Sequence, residues 1–303
     1  MAEFRAERPI CDLPKTFQDA IVIARKLSVR YLWIDALCII QDSMEDVQRQ
    51  IPLMERIYSQ SAVNIAASAS ADPHGGLFRA REPAAVIPGL VSPQLHSGVS
   101  ENEKYYIFDR KYWDRQISNG PLHRRGWVFQ ERLLAPRVIY FSKQQVFWEC
   151  FTENKCEAFP YGIPKHHSIK RLEPLWEMVA LNRGKTPLDR QDMPGPLLDL
   201  WGRLVREYSN CVLTNSNDKL AALLGIVGLF ATTTGDQYLA GMWRSSLLEQ
   251  LCWWVDQPGI KGTTTTTGTY CAPSWSWASL SSPNSTPRLN NSETPHTVFN
   301  CIY

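Results

Sequence analysis

Carboxylates and indole rings are the side chains of this sequence that are best suited to chemistry. Asp35 is the single charge in the run YLWIDALCIIQ, residues 31–41, and Glu131 closes the segment GWVFQE. His123, eight residues before Glu131, can assist an acid or a base there. The chain holds 11 tryptophans, whose rings either fill an aromatic core or form the walls of a pocket. Acid–base or electrostatic chemistry by Asp35 and Glu131 is the first hypothesis.

Common catalytic and metal-binding motifs do not occur in the sequence. It contains no G-x-S-x-G, G-x-x-x-x-G-K-[ST], G-x-G-x-x-G or H-E-x-x-H segment. The eight cysteines are scattered and include no C-x-x-C pair, so the spacing of a zinc site is missing. We therefore expect neither a metal nor a bound cofactor.

Composition excludes several classes of protein. A net charge of +2, from 32 basic and 30 acidic residues, gives no strong field for nucleic acid or anionic lipid. No apolar segment reaches the roughly 18 residues of a membrane span, and the first residues lack the apolar stretch of a secretory signal. We expect a cytoplasmic protein with free thiols that binds no nucleic acid and has no membrane span.

The first half of the chain alternates between helical and strand-like patterns. Helices are predicted at 13–28 and from residue 42, where Pro52 should kink or restart the second helix. Strands are predicted at 31–40 and 62–68. This order indicates an α/β fold with a mostly parallel sheet, in which the end of the first strand places Asp35 at a ligand crevice. Alternatively, Asp35 caps or orients a neighbouring loop.

A second group of helix-like and strand-like patterns surrounds Glu131. A short helix from Trp127 should end before Pro136, followed by two strands that can form a hairpin. Alternatively, Glu131 only pairs with an arginine, and Trp127 lies in the core. The candidate arginines are Arg124, Arg125 and Arg137. A long loop is predicted at 73–103 and a strand at 104–109.

Helical patterns dominate after residue 155. They occur at 168–181, 196–209, 218–232 and 243–255. A low-complexity loop at 262–270 and an aromatic, strand-like segment at 271–280 follow. We predict an α/β domain at 1–155, a helical C-terminal subdomain at 156–280 packed on it, and a poorly ordered tail at 281–303.

Several blocks together resemble the fungal heterokaryon-incompatibility (HET) domain proteins. They read LPKTFQDAI, YLWIDALCIIQDS, MERIYSQSAVNIAAS, RRGWVFQERLLAPRVIYF, YLAGMW and APSWSWAS, and extend in the family's order from about residue 13 to 280. The resemblance implies a role in non-self recognition and programmed cell death when different hyphae fuse. It also implies a flavodoxin-like fold, because HET domains are thought to be distantly similar to TIR domains.

The TIR likeness implies a reaction and a set of site residues. Several TIR domains cleave NAD with a glutamate in a W-C-x-x-E segment, which makes Glu131 the implied catalytic carboxylate and Trp127 a wall. The family block W-I-D-x-x-C-I-x-Q adds Trp33, Asp35, Cys38 and Gln41. Arg124 and Arg125 could bind a diphosphate through paired hydrogen bonds. NAD would be a substrate here, not a cofactor.

Some features depart from the family, and other functions remain open. The family's opening strand, roughly Y-x-x-L-S-Y-C-W-G, has no counterpart here, and Gln50 stands where an acid is usual. One alternative is a small-molecule enzyme of fungal secondary metabolism, for cyclisation, dehydration or bond cleavage. Another is a non-catalytic interaction module. The expected partners are a small-molecule or nucleotide ligand, and either a second copy of the chain or other incompatibility proteins.

Overall fold

The computed structural model describes residues 9–87, 89–91, 105–107, 109, 111–164, 170, 172–182, 193–255, 271–280 and 287–288. Its internal contacts divide the chain into two compact units, Met1–Arg171 and Leu172–Tyr303. The packing of a helical part on the α/β domain stays a prediction. The low-complexity loop at 262–270 and, apart from residues 287–288, the tail at 281–303 lie outside the described residues.

Apart from the single turn at Asp35–Cys38, the helices of the first unit follow the predicted pattern closely. Ser43 caps the third of them by accepting a hydrogen bond from the Asp46 amide at 3.3 Å. This helix continues through Pro52 without a restart. Pro52 cannot donate a hydrogen bond to the Gln48 carbonyl, and the helix tolerates this loss because both residues are exposed. The helices are α1 (Lys15–Lys26), α2 (Asp35–Cys38), α3 (Met44–Ser59) and α4 (Gly126–Leu134).

The sheet of the first unit is mixed, so the prediction of a mostly parallel sheet was wrong. Its strands are β1 (Asn64–Ala66), β2 (Gly89–Val91), β3 (Tyr105–Ile107), β4 (Arg137–Phe141), β5 (Val146–Cys150) and β6 (Asn154–Cys156). The main sheet has the order β1-β4-β5-β6, and β2 pairs with β3 separately. Of the strands in the described part of the chain, only β1 and β4 run parallel, with Ile65 opposite Ile139. The connections between β4, β5 and β6 are too short for a parallel crossover.

The predicted strand at 31–40 is not formed. The run is largely exposed, with Tyr31 79% exposed, and its middle forms the single turn α2. Within α2 the Cys38 amide donates to the Ile34 carbonyl at 2.8 Å, so the backbone is satisfied locally. Apolar composition alone indicated burial, but no strand lies beside this run among the residues that the structure describes.

The two faces of the sheet carry separate cores. On one face Tyr140 and Phe147 pack edge-on against Trp113. On the other, Phe141 packs with Ala20 of α1 and with Leu77. The alternation of strand side chains thus places α1 on one side of β1 and β4, and the segment before α4 on the other.

The second unit is helical and aromatic. Trp201 and Trp277 both donate their indole N–H to the Gly241 carbonyl, at 3.2 and 2.9 Å. The predicted helix at 243–255 was wrong except at Leu247–Gln250, because Gln250 hydrogen-bonds the Trp243 backbone and folds the segment back. The elements are α5 (Glu173–Leu181), α6 (Gly195–Ser209), α7 (Leu224–Thr234), α8 (Leu247–Gln250), β7 (Tyr238–Leu239), β8 (Met242–Trp243), β9 (Trp254–Val255) and β10 (Pro287–Arg288).

Candidate carboxylate site

Three polar side chains from three elements converge around Glu131. Tyr58, in the last turn of α3, lowers the pKa of the Glu131 carboxyl on α4. The charges of Asp35, at the start of α2, and of Arg125, at the cap of α4, act on both of these groups. The segments around residues 35 and 131 therefore meet in space, although almost a hundred residues separate them.

Glu131 has an unusual electrostatic environment for a carboxyl group. Burial, and then the negative charge of Asp35, raise its pKa to about 7. The Tyr58 hydroxyl and the positive charge of Arg125 oppose this increase but do not cancel it. Burial, with the charges of Glu131 and Asp35, also raises the pKa of Tyr58, so the phenol stays protonated. Near neutral pH, Glu131 is therefore divided between its charged and neutral forms.

Asp35 is held by its local backbone. It is exposed, and its Oδ1 accepts a hydrogen bond from the Ala36 amide at 2.8 Å. The turn that carries it is closed by Gln41, whose side chain donates to the Asp35 carbonyl at 3.2 Å. Asp46 ties this turn to α3, because its carboxylate accepts a hydrogen bond from the Ile40 amide at 2.8 Å. The Asp35 side chain thus bonds the backbone of its own turn, and its charge also acts on Glu131.

A cavity of about 440 Å³ lies beside Glu131. Its walls come from β1 and the loop after it, the start of α1, the segment before α4, and β4. Three of the nine predicted site residues line this cavity: Glu131, Arg125 and His123. Asp35 does not line it, but its neighbour Ala36 does. The other polar side chains of the lining are Thr16, Asn64, Ser70, Asp72, Arg132 and Tyr140.

The remaining predicted residues do not line the cavity. Trp33 packs its ring edge-on against Tyr58, with 5.7 Å between ring centroids and an interplanar angle of 80°. Trp127 is partly buried on α4. Arg124 and Cys38 are exposed at the ends of short helical turns.

His123 is a neutral hydrogen-bonding group in the cavity wall. Its Nε2 lies 3.2 Å from the Ser68 Oγ, and its ring packs against Tyr140 at 5.4 Å. Burial, and then the positive charge of Arg132, lower its pKa to about 3. An imidazole that stays neutral at physiological pH can accept or donate a hydrogen bond, but it holds no proton to release as an acid.

A second buried carboxylate, Glu149 on β5, was not found from the sequence. Arg132 binds it with two hydrogen bonds, of 2.9 Å from Nε and 2.8 Å from a terminal nitrogen, and the Tyr140 hydroxyl donates to it. Lys170 donates to the Arg132 carbonyl. The ion pair next to the cavity therefore joins Arg132 to Glu149, and Glu131 is not part of it. A charge in the inward-facing register of the segment VFWEC was the sequence pattern that could have revealed Glu149.

Tyr58 was also missed, because its spacing from Met54 indicated only a helical core position. Both Tyr58 and Glu149 act through partners that are distant in the chain. The described residues contain no group of three or more His, Cys, Asp or Glu side chains that could hold a metal ion.

The geometry thus defines an α/β protein with a small mixed sheet and a cavity whose wall carries an ionisable glutamate. Residues 2–131 match the family model described as heterokaryon incompatibility protein (HET). The resemblance is therefore confirmed for this stretch, which is a HET domain and contains every predicted site residue. No curated protein and no solved structure matches the chain.

Proposed function

We propose that this HET-domain protein acts in fungal non-self recognition and programmed cell death by cleaving NAD or a related nucleotide. The observation that carries the proposal is the position of Glu131 in the wall of a cavity of about 440 Å³, with Arg125 in the same wall. A distant TIR-like relationship is part of the proposal, and the parallel pairing of β1 with β4 is compatible with it.

The chemistry requires a negative charge near the ribose. In NAD the bond between ribose and nicotinamide breaks with both electrons going to the ring nitrogen, so nicotinamide leaves as a neutral molecule. The ribose then carries positive charge, which a carboxylate stabilises until water adds and loses a proton. The products are nicotinamide, ADP-ribose and a proton. Glu131 would supply the carboxylate, and the exposed guanidinium of Arg125 would bind the diphosphate.

The charged form of Glu131 is the active form in this mechanism. Because the leaving group departs neutral, a protonated Glu131 has no proton to contribute that the reaction needs. The cleavage rate should therefore rise as the pH increases through about 7, where Glu131 loses its proton, and should level off above it.

Replacement of Glu131 tests the proposal. We expect Glu131→Gln to lower the rate of nicotinamide release from NAD by about 10²–10³-fold, as removal of one electrostatic group does elsewhere. Glu45→Gln, which changes an exposed acid on α3, is the matched control and should retain full activity. Chromatography of the nicotinamide released by the purified protein measures both, and cell death in a fungal host is the second readout. Equal activity of the two variants, or no NAD cleavage by the unmodified protein, would contradict the proposal.

The apolar part of the cavity favours a second candidate, an enzyme of secondary metabolism. Phe17, Ile65, Val128 and Val138 also line the cavity, and apolar walls suit an organic molecule without phosphates. Glu131 would then act as an acid or base in cyclisation, dehydration or bond cleavage. Binding of an apolar metabolite in this cavity, with NAD left intact, would favour this candidate over NAD cleavage.

A further inference from the structure

The cavity of the candidate site passes around one edge of β1. Four consecutive residues, 64–67, line it. Ala66 belongs to the core on one face of the sheet, whereas Ile65 and Ala67 pack toward α1 on the opposite face. Because successive side chains of a strand point to opposite faces, a cavity that touches all of these residues follows the edge of the strand and not a single face.

This edge of β1 has no partner strand in the described part of the chain. β1 is the terminal strand of the main sheet and pairs only with β4. Among the described residues, no hydrogen bond from outside β4 reaches the backbone of residues 64–66. An edge strand presents N–H and C=O groups to its open side, and those of one residue point the same way. The edge thus offers a donor beside an acceptor to a molecule in the cavity.

We propose that the open edge of β1 recognises a carboxamide group of the ligand through main-chain hydrogen bonds. A primary carboxamide carries the complementary pair, an NH₂ donor and a C=O acceptor on neighbouring atoms. The inference rests on the proposed function, in which the cleaved molecule carries this group on its nicotinamide ring. Glu131 lines the same cavity and would face the adjoining ribose, which places the nicotinamide there.

The walls on either side of this edge suit a flat ring. Phe17 of α1 and Leu122, in the segment before α4, are half-buried apolar side chains that both line the cavity. They come from opposite faces of the sheet, because Leu122 packs on the core that contains Ala66. An aromatic amide would thus have apolar contacts on its ring and main-chain contacts at its polar substituent.

Backbone amide NMR with small aromatic probes tests the edge without any assay of cleavage. Nicotinamide should shift the ¹⁵N–¹H signals of residues 64–66. The amides of Trp148 on β5 and Lys155 on β6, which pair with each other inside the sheet, are the internal control and should not move. 3-Acetylpyridine, in which a methyl group replaces the NH₂ donor, should bind about tenfold or more weakly, because a strand carbonyl then loses its partner.

A second matched pair separates the carboxamide from the rest of the ring. Benzamide keeps the carboxamide but lacks the ring nitrogen, and should bind like nicotinamide. Acetophenone lacks the NH₂ donor, and should be weakened relative to benzamide by the same factor that separates 3-acetylpyridine from nicotinamide.

The outcomes distinguish this inference from the proposed function. Unmoved amides at 64–66, or equal binding within each pair, would overturn recognition by β1 even if NAD were cleaved. The expected shifts and affinity ratios in a protein that never cleaves NAD would support recognition of a carboxamide and overturn only the proposed reaction.

Discussion

A glutamate whose pKa is raised to about 7 makes the native state less stable at neutral pH than the same site with a neutral side chain. Between about pH 4.5 and 7 the folded protein keeps a proton on Glu131 that the unfolded chain has already lost. Stability from this group is thus fully present below the unfolded pKa and is lost as the pH rises to 7.

Glu131→Gln should therefore stabilise the protein at high pH. We expect the gain in free energy of unfolding over the unmodified protein to be larger at pH 8 than at pH 4, by about 3 kcal/mol from the size of the pKa change. Urea unfolding at the two pH values measures it. Glu45→Gln should show no comparable pH dependence, and a Glu131→Gln protein that is less stable than the original at pH 8 would contradict the environment described for Glu131.

Single residues show where prediction from this sequence succeeds and where it stops. The proximity of the Asp35 turn to Glu131 was predictable because each lies in a distinctive local segment and because the family likeness links the two. Tyr58 was not, since its helical spacing suits a core residue equally well. The same holds for the pairing of Arg132 with Glu149, because a sequence gives no distance between a helix and a strand.

At the scale of elements, the turn that carries Asp35 depends on α3. Asp46, in the first turn of α3, accepts from the Ile40 amide and pairs with Arg49, and it is only 6% exposed. The Ile40 hydrogen bond and the charge of Arg49 lower the pKa of Asp46, so this anchor stays charged at neutral pH. The position of Asp35 thus depends on a contact between two elements.

Loss of this anchor should loosen the turn. We expect Asp46→Ala to accelerate hydrogen exchange at the Ile40 amide by about tenfold or more, because a hydrogen bond to a charged acceptor is lost. Glu45→Ala removes an exposed acid from the same turn of α3 and is the control, with exchange at Ile40 unchanged. Similar exchange in both variants would show that Asp46 does not hold the turn.

The elements also show why fold prediction failed at residues 31–40. Composition records how apolar a run is, but a strand needs a partner strand. Without one among the described residues, the run forms α2 and remains largely exposed. The α4 helix and the β4–β5 hairpin were predictable because Pro136 ends the helix and the turn between the strands is short.

At the scale of the whole molecule, the predicted chemistry belongs to one of the two units. The family match at 2–131 and all nine predicted site residues lie within Met1–Arg171. The second unit is built on a buried aromatic core that includes Trp201, Trp243 and Trp277. Among the described residues, no helix is both long and apolar enough to cross a membrane.

The central claim is that segments distant in the chain bring Asp35 and Glu131 together at one cavity. The most direct measurement is the pKa of Glu131, by ¹³C NMR, in Asp35→Asn, with Asp42→Asn as the control that removes an exposed acid nearby in sequence. Since the charge of Asp35 raises the pKa of Glu131, we expect Asp35→Asn to lower it from about 7 while Asp42→Asn leaves it in place. An unchanged pKa in Asp35→Asn would show that the two carboxylates do not share a site.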